Sequence, residues 1–148
     1  MGGCFKSSDV KELMTEWNIA QDIVSAQYVA QEFPCEMVYC PFEVGKSVKT
    51  KMGADKKNPV WFSMFCHAKY MYGAEFDADF FRESWDPVTC LAALNEKKEY
   101  FKYSEYGEIK INEKGQTLFE KKKNGRHRYL MNESCLAKIE QIVNESIE

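Results

Sequence analysis

The chain has 148 residues, 45% hydrophobic, 29% charged and 14% aromatic, a balance that fits one ordinary globular domain and excludes disorder of the whole chain. Its 20 basic and 23 acidic side chains leave a net charge of −3, so no whole-molecule field draws it to nucleic acid or to an acidic membrane. No apolar run approaches the roughly 18 residues of a membrane-spanning helix. The six cysteines, at 4, 35, 40, 66, 90 and 135, lack the close, regular spacing of a disulfide scaffold, and no apolar signal segment opens the chain. Reduced thiols and a cytoplasmic or otherwise intracellular, reducing setting are expected.

In chain order, Met1-Gly2-Gly3-Cys4 offers a glycine and a cysteine suited to acylation, although Lys6 stands where the myristoylation pattern wants Ser or Thr. The plainer reading makes residues 1–8 a flexible terminus and residues 9–148 a single domain. Asp9 and Glu12 form a capping box, followed by Val10, Leu13, Met14 and Trp17 on one helical face. A second box-like pair, Asn18 and Gln21, precedes Ile19, Ile23, Ala26 and Ala30, so the helix either breaks near Asn18 or runs to Glu32, where Pro34 stops it. Residues 35–40 read as a buried strand, and residues 45–58, rich in lysine and glycine, as a mobile loop. Residues 60–64 read as a second strand, and 66–72 as a short helix closed by Gly73.

Residues 74–87 mix five acidic side chains with Phe76, Phe80, Phe81 and Trp85, as a short amphipathic helix or an acidic loop. The apolar run 88–94 fits helix and strand equally. Four strands follow, at 100–103, 108–111, 117–122 and 126–131, with Asn124-Gly125 expected to turn as a type I′ hairpin. A last helix begins near Glu133, capped by Asn132, and buries Leu136, Ile139, Val143 and Ile147. The expected fold is α+β: N-terminal helices, a mixed or antiparallel sheet with C-terminal β-hairpins, and a C-terminal helix.

Phosphate-binding glycine loops, dinucleotide fingerprints, Cys-x-x-Cys and His-Glu-x-x-His are absent. Cys35, Cys40, Cys66 and His67 have loose spacing for zinc, and small buried cysteines explain them as well, so no metal is expected. Cys66 and His67 are a poor nucleophile and base, because neighbours on a helix do not face each other. Lys121, Lys122, Lys123, Arg126 and Arg128 concentrate five cations around a projecting turn that could hold phosphates; a solvated turn explains them too.

Val60-Trp61-Phe62-Ser63, then Ala68 and Tyr72-Gly73, resembles the aromatic-Phe-Ser, Ala, Tyr-Gly stretch of the ADP-ribosyltransferase superfamily. The resemblance implies NAD as substrate, with Tyr39, Ser63, Tyr70 and Tyr72 at its pocket and Glu105 as the critical carboxylate, Glu108 being the substitute. Where the family usually carries His or Arg on its first strand, this chain has Tyr39 and Cys40. Cleaving the nicotinamide bond calls for aromatic walls, an orienting hydroxyl and a negative charge facing the transition state. Two functional expectations therefore stand side by side. One is an NAD-binding, ADP-ribosyltransferase-like domain that modifies a macromolecular target. The other is a protein-interaction or assembly module without chemistry, with nucleic acid as a further partner of the cationic turn.

Overall fold

The computed structural model describes residues 1–5, 12–51, 53, 55–73, 80–94 and 99–147. The expected capping box at Asp9 lies outside the described residues, and Leu13 and Met14 are not helical. Helix α1 (Trp17–Gln21) starts instead at Glu16, a fully buried carboxylate that accepts the Asn18 and Ile19 N–H groups at 3.0 and 3.4 Å. Asp22 ends that turn and caps α2 (Ile23–Glu32), accepting the Ser25 N–H at 2.9 Å. The break therefore falls at Asp22 rather than Asn18, and α2 stops before Pro34 as its sequence requires.

Strand β1 (Met37–Tyr39) leads into α3 (Phe42–Lys46) and β2 (Lys49–Lys51). The segment read as a mobile loop is thus partly ordered: Val48 is fully buried, like Val44 just before the segment, and β2 pairs antiparallel with β3 (Phe81–Glu83). Two valines spaced four apart anchor it, a signal that the surrounding lysines obscure.

The expected strand at 60–64 is helical. Helix α4 (Pro59–Tyr72) runs unbroken between two stop signals. Asn58 caps it by accepting the Val60 N–H at 2.8 Å, proline occupies the first turn, and Gly73 closes it with φ +62°, which only glycine adopts without strain. Trp61 and Phe65, four residues apart, stack at 5.1 Å along one face. Short aromatic runs do not reveal their period, and here the caps decide it. Helix α5 (Trp85–Leu94) settles the ambiguous run at 88–94 as helix.

The sheet is mixed, with strand order β1, β6 (His127–Tyr129), β4 (Gly107–Ile111), β5 (Thr117–Lys121). Strands β1 and β6 are parallel; β4 is antiparallel to both its neighbours. The segment 100–103 contributes only a bridge from Tyr103 to Leu130. Because β4 lies between β5 and β6, Asn124-Gly125 does not close a two-residue hairpin. It belongs to a turn in which the Gly125 N–H meets the Lys122 carbonyl at 2.9 Å, and neither residue has positive φ. Glycine is needed at 125 for contact: a Cβ there would lie 2.1 Å from the Gly107 carbonyl oxygen. The last helix, α6 (Leu136–Glu145), begins at Cys135 without a side-chain cap, later than Asn132 implied.

One apolar cluster joins Cys40, Val44, Val48, Val88, Phe101, Leu130, Ile139 and Val143; a second joins Ile19, Ala30 and Ile111. Each fully buried Val, Leu or Ile contributes about 1.5–3 kcal/mol. Residues 1–5 are also tied down, against the expectation of a frayed terminus. The Cys4 N–H donates to Thr117 Oγ1, whose hydroxyl donates back to the Cys4 carbonyl at 2.7 Å. Phe5 stacks on Tyr129 at 4.2 Å. Gly2 and Cys4, the two acylation candidates, are both buried.

Candidate functional site

A cleft of about 560 Å³ opens between α1, α2, the edge of β1 and the first residues of the chain. Its walls are Ile19, Ala26, Val29, Met37, Val38 and Ile111, with Asn18, Asp22, Ser25 and Tyr39 supplying polar groups. The size and the mainly apolar lining suit a bound side chain or small ligand.

The sequence sets up this cleft through three local decisions. Asp22 interrupts the helix, so α2 sets out from a new start. The small Ala26 faces the cleft while Ala30 is buried against Ile111. Arg126 fixes the far end of α2, donating to the Phe33 and Gln31 carbonyls at 2.8 and 3.0 Å.

Strand β1 is at the sheet edge. The Met37 N–H donates to the Arg126 carbonyl and the Tyr39 carbonyl accepts from Leu130 N–H, both at 2.9 Å and both toward β6. Alternate residues of a parallel ladder face opposite sides, so the Val38 N–H and carbonyl point away from β6. The Cys40 carbonyl, two residues on, shares that direction and accepts the Gly2 N–H at 3.0 Å. The open edge at Val38 and the chain's own residue 2 both belong to the cleft.

On the two helices that border the cleft, large apolar side chains also face outward. Trp17 of α1 is 73% exposed, and Val24 and Tyr28 of α2 are 74% and 68% exposed. Asp22 stays ionised at the cleft wall because hydrogen bonds from Ser25 hold its carboxyl below the usual range. Burial pushes the Tyr39 phenol above its ordinary value, so the ring presents a neutral hydroxyl.

The residues chosen from sequence do not gather in this cleft; Tyr39 alone among them lines it. Ser63 and Tyr70 are exposed on α4, and Tyr70 is 87% exposed. The side chain of Tyr72 lies outside the described residues. Glu105 is exposed and paired with Lys121. Glu108, the substitute, pairs with Lys122 at 2.5 Å, and that contact holds its carboxyl below the usual range. Residues 60–63, which open the stretch that carries the resemblance and were expected to form a strand, lie in helix α4.

The cationic turn is also engaged locally. Lys121 and Lys122 pair with glutamates, and Arg126 caps α2. Arg128 lies over the Tyr103 and Tyr106 rings at 4.7 and 5.0 Å and approaches Glu36 at 3.8 Å. Lys123 is exposed at the tip. All six cysteines are thiols; Cys4 and Cys40 are buried, the other four exposed. Among the described residues no group of three or more His, Cys, Asp or Glu side chains is placed to hold a metal ion, and no helix is long and apolar enough to cross a membrane.

Together the elements define an α+β domain whose mixed sheet leaves one edge open beside an apolar cleft. No family model, curated protein or solved structure matches the chain.

The signals for the cleft were partly present in the sequence. Ile19, Ile23, Ala26 and Ala30 mark the helix face, and the run Met37-Val38-Tyr39 marks the strand. Nothing local announces that this strand is an edge.

Proposed function

We propose that the protein is an interaction module that takes an extended peptide segment of a partner into the cleft between α2 and β1. The observation that carries this reading is the β1 edge, where Val38, whose N–H and carbonyl point away from β6, lines an apolar cleft. An added strand gains main-chain hydrogen bonds from such an edge, and its alternate side chains enter the pocket beside it. The chain's own residues 2 and 3 already use the neighbouring groups, pairing with Cys40 and Phe42. The charge of Asp22 favours a lysine or arginine in the partner segment. Trp17, Val24 and Tyr28 extend the contact beyond the cleft with the aromatic and aliphatic anchors that interfaces favour.

The test is selection of binders from a displayed library of linear peptides, followed by titration. Selected peptides are expected to alternate apolar residues and to carry a cation. Val38→Pro removes the outward-pointing donor while the β6 side of the strand keeps its ladder, because proline is tolerated where the N–H faces outward at a sheet edge. It should weaken binding about tenfold or more, as should Val29→Glu within the cleft. A library without binders, or binders indifferent to both substitutions, would overturn the proposal.

A further inference from the structure

A second cavity, of about 200 Å³, lies on the other face of β1. Side chains along the strand alternate between the two faces. Met37 and Tyr39 line the cleft beside α2, whereas Cys40 packs with Val88 and Ala92 of α5, and Val38, two residues earlier, shares the Cys40 side. Val38 is common to the linings of both spaces, so the edge strand stands between them. In the second cavity Cys40, Ala92 and Leu130 are buried, and Thr89 and Tyr103 are half-buried. Its exposed lining residues are Val38, at 41%, and Ala93 of α5, so the cavity opens at the β1 edge.

Among the described residues that line this second cavity none is charged. The polar atoms of Cys40 and Thr89 are engaged within the protein. The Thr89 hydroxyl donates to the Trp85 carbonyl at 2.8 Å, and the Cys40 thiol is hydrogen-bonded with Thr89. A guest is therefore held there by burial of apolar surface. An apolar cavity of roughly 150 Å³ already admits benzene, so the size suits a branched aliphatic or phenyl side chain.

We propose that this cavity is the second side-chain pocket of the strand-addition site. The partner segment that pairs with the β1 edge sends side chains of one parity into the cleft beside α2, and one apolar side chain of the other parity into the cavity beside α5. The inference rests on the strand-addition reading of the cleft and adds the chemistry of the partner's second face. A strand added at an edge continues the pleat, so its successive side chains go to opposite faces of the sheet. A strand buried on both faces reads as a near-continuous apolar run. The alternate apolar residues expected for the cleft are thus joined by an apolar residue between them. The cation favoured by Asp22 belongs on the α2 side, because the second cavity offers it no carboxylate.

The experiment takes a peptide selected on the full chain, replaces each of its residues by alanine in turn, and titrates the series against the parent, Val29→Glu and Ala93→Phe. Ala93 is exposed, so the fold tolerates a larger ring there while the ring crowds the cavity mouth. Ala92→Leu, growing in from the buried wall, is the second variant. Ala93→Phe should weaken the parent peptide about tenfold. The loss should be confined to one peptide position, where truncation to alanine costs binding in the parent but not in the variant. That position and those coupled to Val29→Glu should differ by an odd number of residues, and unchanged preferences at the latter report a folded variant. The inference alone is overturned if peptides require Val29 and the β1 edge yet ignore Ala93→Phe and Ala92→Leu, or if the positions coupled to Ala93 and to Val29 share one parity. A library without binders, or binders indifferent to Val38→Pro, overturns the strand-addition reading and this inference with it.

Discussion

His127 joins the three strands that define the binding edge, and replacing it by phenylalanine tests how they are held. The imidazole is 3% exposed on β6, which is paired to β1 on one side and β4 on the other. Its Nδ1 accepts the N–H of Ile109, itself 2% exposed, at 2.8 Å. That bond requires a neutral ring with the proton on Nε2, which is buried without a partner. Burial pushes the imidazole below its ordinary value of 6.5, with Arg126 adding to the shift and Glu108 opposing it.

His127→Phe keeps a ring against Tyr39, whose centroid lies 5.9 Å away, but strands the Ile109 N–H. Leaving a buried donor unsatisfied costs about 1–3 kcal/mol, and removing the unpaired Nε2–H returns roughly 1 kcal/mol of that. The net destabilisation expected near neutral pH is about 1 kcal/mol. Acid then narrows the difference. The folded imidazole binds protons less readily than the unfolded one, so the parent loses stability as pH falls from 6.5 toward the lowered folded value. The loss is at most about 1.4 kcal/mol for each pH unit of that window. The phenylalanine variant lacks this contribution. Urea unfolding of both proteins at about pH 7.5 and about pH 5, with unchanged m-values, measures it. A gap between the two proteins that is constant over that range, or wider in acid, would refute the reasoning.

Two further outcomes separate the structure from its alternatives. Gly125→Ala should destabilise by the upper part of the about 1–3 kcal/mol range of overpacking, because its Cβ meets the Gly107 backbone, whereas the exposed Asn124→Ala should stay within about 0.5 kcal/mol. Equal costs in a thermal or urea melt would restore the type I′ hairpin that the dipeptide suggests. Incubation with labelled NAD should yield no nicotinamide above the buffer control, with Glu105→Gln indistinguishable from the parent; turnover in the parent that disappears in the variant would instead make Glu105 the carboxylate of an ADP-ribosyltransferase-like enzyme.

The sequence by itself determined the elements whose signals are local. Alternation along residues 107–111 and 117–121 wrote the β4–β5 pair, and the spacing of Leu136, Ile139 and Val143 wrote α6. The end of α2 before Pro34 was similarly legible, because proline acts within one turn, whereas the break at Asp22 was not placed by the sequence. Residues 60–64 show where local reading divides: the aromatic run favours a strand, but Asn58, Pro59 and Gly73 fix a helix over the whole stretch. Only the tertiary structure decided the strand order, the parallel pairing of Met37–Tyr39 with His127–Tyr129, and hence the open edge at Val38. That pairing joins segments about ninety residues apart in the chain, and neither carries a mark of its partner. The same holds for Glu43, a glutamate that is buried only once Phe5, far away in the chain, is folded against it.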